Sequence, residues 1–77
     1  MTNNQAFGVV LREMRTKKKI SQDTLAFEAN LDRTYISNLE LGRRSPSLDT
    51  MTALCAALNV PLSDVIIRLE ELLATNA

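Results

Sequence analysis

Residues Asn30 to Ser47 read NLDRTYISNLELGRRSPS. The stretch decides the fold because it holds a stop, a start and a second stop in quick succession. Asn30 tolerates the left-handed backbone that ends helices, and Asp32 is a good N-cap for the helix after it. Two short helices joined this tightly, with stop and cap both inside the join, make a helix-turn-helix. The helix that follows is predicted over Arg33 to Leu39 or Glu40, with Leu31, Ile36, Leu39 and Leu41 as nearby core. Residues advance by about 100° each around the axis, so Ile36 and Leu39 share one side. Thr34 and Asn38 point the opposite way, with Ser37 and Arg33 on one edge and Tyr35 on the other. Glu40 lands beside the core side, an odd place for a charge. Gly42 and Pro46 then stop the helix and open a loop.

Upstream, Phe7, Val10, Leu11 and Met14 repeat at i, i+3, i+4 and i+7, which predicts a first helix over Asn4 to Lys18. Lys17, Lys18 and Lys19 close it. Cations there suit the negative pole of the helix dipole, and they equally suit phosphate contact. Ser21 is an N-cap for a second helix, with Asp23 in its first turn. Leu25, Ala26 and Ala29 form its buried side. Phe27 lies off that stripe, either covering the groove beside the first helix or partly exposed.

Downstream, Ser47 or Asp49 caps a fourth helix whose stripe is Leu48, Met51, Leu54, Cys55 and Leu58. Cys55 fits there as a small hydrophobe. Asn59 ends the helix and Pro61 opens or precedes the fifth. The fifth carries Leu62, Val65, Ile66, Leu69, Leu72 and Leu73, with Val60 just before it and Ile67 off the stripe. That is more apolar surface than a terminal helix of so small a domain needs, and it predicts an interface. The tail from Ala74 to Ala77 is expected to fray.

Composition narrows the function. Seventy-seven residues make one domain over 1–77, with no room for a large enzyme cleft. Leu and Ala dominate and Gly, Pro and aromatics are scarce, which favours an all-α fold. There is no His and one Cys. The commonest general base, an internal disulfide and multi-cysteine metal sites are therefore excluded. No paired carboxylates or phosphate-binding Gly loop appear either, so neither an enzyme nor a cofactor is expected. No signal peptide, lipidation motif or long apolar run is present, so no membrane association is expected. Net charge is zero, but it is unevenly spread: +4 over residues 1–19 and −3 over residues 49–77. A basic face is thus compatible with a neutral total, and the local field is what steers a phosphate backbone.

The span from Ser21 to Val60 resembles the lambda-repressor-like (Cro/repressor) helix-turn-helix family. The matching positions are Gln22, Leu25, Ala26, Asn30, Ile36, Ser37, Glu40, Gly42, Pro46, Leu54 and Leu58. With LREMR upstream and VPLSDVI downstream, the likeness covers nearly the whole chain. The family often has Gly where this chain has Asn30, and Asn reaches the same conformation. The run NLDRTYIS and the compact five-helix length resemble the controller proteins of restriction–modification systems. That resemblance implies a homodimer on palindromic operators upstream of its own gene and the endonuclease gene, activating and then repressing as it accumulates. It also implies a bacterial cytoplasmic protein held at the nucleoid by DNA, and an Arg15–Glu40 ion pair between the first helix and the recognition helix. By analogy with activators of the family, Asp23 and Glu28 are a candidate contact for RNA polymerase.

The residues make chemical sense on double-stranded DNA. The major groove admits one helix, and base contacts concentrate in its first turn. There Arg33 can pair with guanine O6 and N7, Thr34 can meet a base edge or a thymine methyl, and Tyr35 can reach a base or a phosphate. Asn38, one turn on, can read adenine or hold a phosphate. Gln22, Ser37, Arg43, Arg44, Ser45 and Ser47 are the expected phosphate contacts. Val60, Val65, Ile66, Ile67 and Leu69 are the expected dimer contacts. The alternatives are another small phage- or chromosome-type repressor, or an antitoxin-like protein-interaction module that kept the fold.

Overall fold

The computed structural model describes residues 1–75. Five helices follow one another: α1 (Asn3–Lys17), α2 (Gln22–Ala29), α3 (Arg33–Glu40), α4 (Leu48–Leu58) and α5 (Leu62–Thr75). No strand occurs among the described residues. α1 begins one residue earlier than its apolar pattern predicts, because Thr2 and Gln5 form a capping box: the Thr2 hydroxyl accepts from the Gln5 N–H, and the Gln5 side chain accepts from the Thr2 N–H. Ser21, Asp32 and Ser47 cap α2, α3 and α4. Ala74 and Thr75 belong to α5 rather than to a frayed tail, and the rest of the tail, Asn76 and Ala77, lies outside the described residues.

The first four helices end the same way. Lys19, Asn30, Gly42 and Asn59 all take positive φ, and in each case the next residue's N–H bonds back into the last turn of the helix. This closure satisfies carbonyls that the helix leaves open, and an apolar residue after the left-handed position commonly packs on the core to lock it. Ile20, Leu31 and Val60 do so here. The closure of α3 is the exception, because its corresponding residue is Arg43, whose N–H donates to the Asn38 carbonyl at 2.9 Å. Three helix ends are thus tied to the interior, and the end of α3 presents a cation outward.

One core gathers Phe7, Val10 and Leu11 of α1, Leu25, Ala26 and Ala29 of α2, Ile36 and Leu39 of α3, Leu54, Cys55 and Leu58 of α4, and Val65 of α5. Burial pushes the Cys55 thiol above its ordinary pKa, as expected of a cysteine used for packing. α1 crosses α3 at Gly8, where an added Cβ would sit 2.5 Å from the backbone carbonyl oxygens of Leu39 and Glu40. Only glycine permits that approach.

Several apolar residues lie elsewhere than their pattern predicts. Leu48 is exposed, because burial on α4 fades toward its first turn. Leu41 is 56% exposed rather than core. Phe27, 87% exposed, does not cover the groove beside α1, and nothing in the structure accounts for it. Val65, 4% exposed, belongs to the core and not to an outer interface, since it shares one stripe of α5 with Leu62, Leu69 and Leu72. Val60 and Leu69 also pack on the core in part, while Ile66 is half-buried and Ile67 exposed. No single helix among the described residues is long and apolar enough to cross a membrane.

Candidate nucleic-acid interface

The site begins with what holds α3 in place. Arg15 of α1 meets Glu40 of α3 through two hydrogen bonds, Nε to Oε2 at 2.6 Å and Nη2 to Oε1 at 3.0 Å. The side chains are 13% and 5% exposed. Arg15 Nη1 also donates to the Ile20 carbonyl at 2.9 Å, just past the end of α1. Glu40 Oε1 accepts a third bond, from Gln22 Nε2 at 3.0 Å. One carboxylate therefore ties three helices together. Charge-assisted, two-pronged contacts of this kind fix geometry as well as adding energy. The bond to Glu40 raises the Arg15 pKa further above its already high ordinary value.

Gln22 is thereby reassigned. Its amide turns inward to Glu40 instead of outward toward a phosphate. Ser47 is reassigned too: its hydroxyl accepts from the Thr50 N–H and donates to the Thr50 hydroxyl, both at 3.0 Å, and so serves the cap of α4. Both side chains are thus engaged within the scaffold, Gln22 half-buried and Ser47 exposed. The pattern of the sequence announces Glu40 as a charge on the core side, but an amide such as Gln22 leaves no comparable signal.

On the outer side of α3, Arg33, Thr34, Ser37 and Asn38 line a shallow cavity of about 200 Å³ with Leu41 and Arg43. Arg33 is exposed and pairs with Asp23 of α2, Nε to Oδ1 at 3.3 Å. An exposed pair of this sort contributes little, so the guanidinium can leave Asp23 for a stronger partner. Ser37, on the same edge of α3 as Arg33, lines this cavity as well. Leu41 is the member that sequence reasoning missed.

Tyr35 stands apart from the cavity. Its ring packs partly on the core, its hydroxyl donates to the Thr50 hydroxyl at 3.4 Å, and the Arg44 guanidinium lies 5.6 Å from the ring centre. Tyr35 thus braces α3 against α4 and carries Arg44 by a cation–π contact. Arg43, Arg44 and Ser45 are exposed on the loop between those helices. The resulting surface is a short helix with polar side chains and arginines along one flank. Hydrogen-bond donors on a protruding helix beside a basic loop suit the edges and phosphates of a duplex.

Comparison with known proteins agrees. A helix-turn-helix family model matches residues 11–65. The control protein C.BamHI of Bacillus amyloliquefaciens is 45% identical over 69 residues, which cover 86% of this chain and 85% of that one. The crystal structure of the restriction–modification controller protein C.AhdI from Aeromonas hydrophila superposes with a TM-score of 0.79 at 42% identity, covering 80% of this chain and 94% of that one. The clp gene regulator ClgR from Corynebacterium glutamicum superposes with a TM-score of 0.94 at 29% identity, covering 99% and 81%. The chain therefore belongs to the helix-turn-helix family of DNA-binding transcriptional regulators, and over most of its length it is similar to restriction–modification controller proteins.

Proposed function

We propose that the protein is a homodimeric controller of a restriction–modification system. It binds palindromic operators upstream of its own gene and the endonuclease gene, first activating and then repressing them. The observation that carries this reading is the face of α3. Arg33, Thr34 and Asn38 are presented on one side of a helix clamped from behind by the Arg15–Glu40–Gln22 network. Arg33 takes a guanine, Thr34 a neighbouring base edge and Asn38 an adenine or a phosphate. Arg43, Arg44 and Ser45 hold the backbone, and Tyr35 positions Arg44. Similarity to control protein C.BamHI supports the choice of regulatory system.

The neutral total charge favours a dimer, since two copies double the phosphate contacts available to one operator. Ile66 and Ile67 on the outer side of α5, with the exposed edges of Val60 and Leu69, form the two-fold contact. Two recognition helices then sit about 34–36 Å apart, on half-sites one helical turn apart. Glu28 and Asp23 of α2 form the contact for RNA polymerase, with Asp23 released when Arg33 turns to DNA. Footprinting of the purified protein on DNA upstream of its own gene tests the reading. Two protected half-sites about 10 base pairs apart are expected. A single protected half-site, or none, contradicts it.

A further inference from the structure

We infer that Leu41 is a specificity-determining residue that packs on the C5 methyl group of a thymine in the major groove. The inference rests on the DNA reading proposed above and adds a contact to it. Leu41 caps α3 with right-handed helical backbone (φ −82°, ψ −3°), and its N–H donates to the Ser37 carbonyl at 3.0 Å. Its side chain therefore continues the helical register. Thr34, Ser37, Asn38 and Leu41 stand at i, i+3, i+4 and i+7, the spacing of one helix face. The same four residues, with Arg33 and Arg43, line one cavity. Leu41 is the apolar member of an otherwise polar reading face and is 56% exposed.

Position, more than exposure, gives this leucine its meaning, since single exposed leucines are common. Against a duplex, Leu41 can donate and accept nothing. Facing a phosphate, or the amino group of cytosine or adenine, it would strip water from a polar group and offer no bond in return. In the major groove thymine alone presents a methyl group. The two bonds that follow, from Gly42 N–H to the Leu39 carbonyl and from Arg43 N–H to the Asn38 carbonyl, hold the helix end, so Leu41 is presented from a fixed backbone. Seven residues separate Leu41 from Thr34, roughly 10 Å along the helix axis. The thymine read by Leu41 accordingly lies within about three base pairs of the base met by Thr34, at steps of about 3.4 Å.

The test uses the intact protein and a duplex that it selects from a randomised double-stranded library. Each thymine of that duplex is replaced singly by deoxyuridine, which removes the methyl group alone. At one thymine per half-site the replacement should weaken the wild type by about fourfold, the value of one buried methyl group. Leu41→Ala should bind thymine and deoxyuridine equally at that position, and Leu41→Met should retain a preference for thymine. The exposed side chain allows Leu41→Ala to melt as the wild type does, so loss of fold is not a confounding result. Equal sensitivity of wild type and Leu41→Ala at every thymine would overturn the inference. So would indifference of the wild type to every replacement, as expected if Leu41 rests on deoxyribose. If the wild type enriches no sequence at all, the DNA reading itself fails.

Discussion

Glu40 accepts three hydrogen bonds from two helices other than its own, and this single carboxylate sets how α3 is presented. Because the pair is largely buried, its value lies in being complete. Removing Arg15 or Glu40 alone leaves an uncompensated charge in the interior, at a cost of about 3–5 kcal/mol. Removing both should cost less than the sum of the two. Urea denaturation of Arg15→Ala, Glu40→Ala and the double variant should therefore give a coupling energy above about 1.5 kcal/mol; additive losses would mean that the two side chains act independently. The helical register flags Glu40 as a charge beside the core, and the family resemblance names Arg15 as its partner. Neither signals the third partner. Gln22 has the same composition and spacing whether its amide faces a phosphate or Glu40, and only the packed helices decide. Leu41 shows the opposite error: a leucine two residues past Leu39 reads as core, yet the helical backbone carries it onto the outer face.

The helices themselves were largely legible, because their ends are encoded locally. Asp32 and Ser47 cap as their side chains dictate, and Asn30 and Asn59 adopt the left-handed conformation that asparagine tolerates. Lys19 takes the same conformation with no residue preference to announce it, so the join between α1 and α2 is set by packing of Ile20 and by the Arg15 bond to its carbonyl. Gly8 is a second feature that spacing cannot reveal. Within a helix, Gly→Ala ordinarily stabilises by roughly 0.5–1 kcal/mol. At Gly8 the sign should reverse, because the new methyl meets carbonyl oxygens of α3 and the helices must part. A loss of about 1–3 kcal/mol is expected for Gly8→Ala, the usual cost of overpacking, measured by thermal or urea unfolding. A gain in stability would show that α1 and α3 are not in close contact there.

At the scale of the whole molecule, a neutral chain carries opposed charges at its two ends. The N-terminal residues and the α3–α4 loop are basic, while the C-terminal third is acidic. α5 divides differently from what its apolar run suggests: Val65 is core, because it lies on the stripe of α5 that also packs Leu62, Leu69 and Leu72 inward. That division cannot be read from periodicity alone, since core and interface stripes adjoin on the same helix. The central claim is that α3 reads base sequence while the loop after it grips phosphate. Binding of a selected duplex and of a scrambled one, by wild type, Arg33→Ala and Arg43→Ala across a range of salt, tests this most directly. The wild type should prefer the selected duplex by at least about 10³. Arg33→Ala should lose most of that preference, whereas Arg43→Ala should weaken both duplexes alike and reduce the salt slope by about one contact. Equal binding of both duplexes by the wild type, or an Arg33→Ala variant that keeps the full preference, would contradict the account.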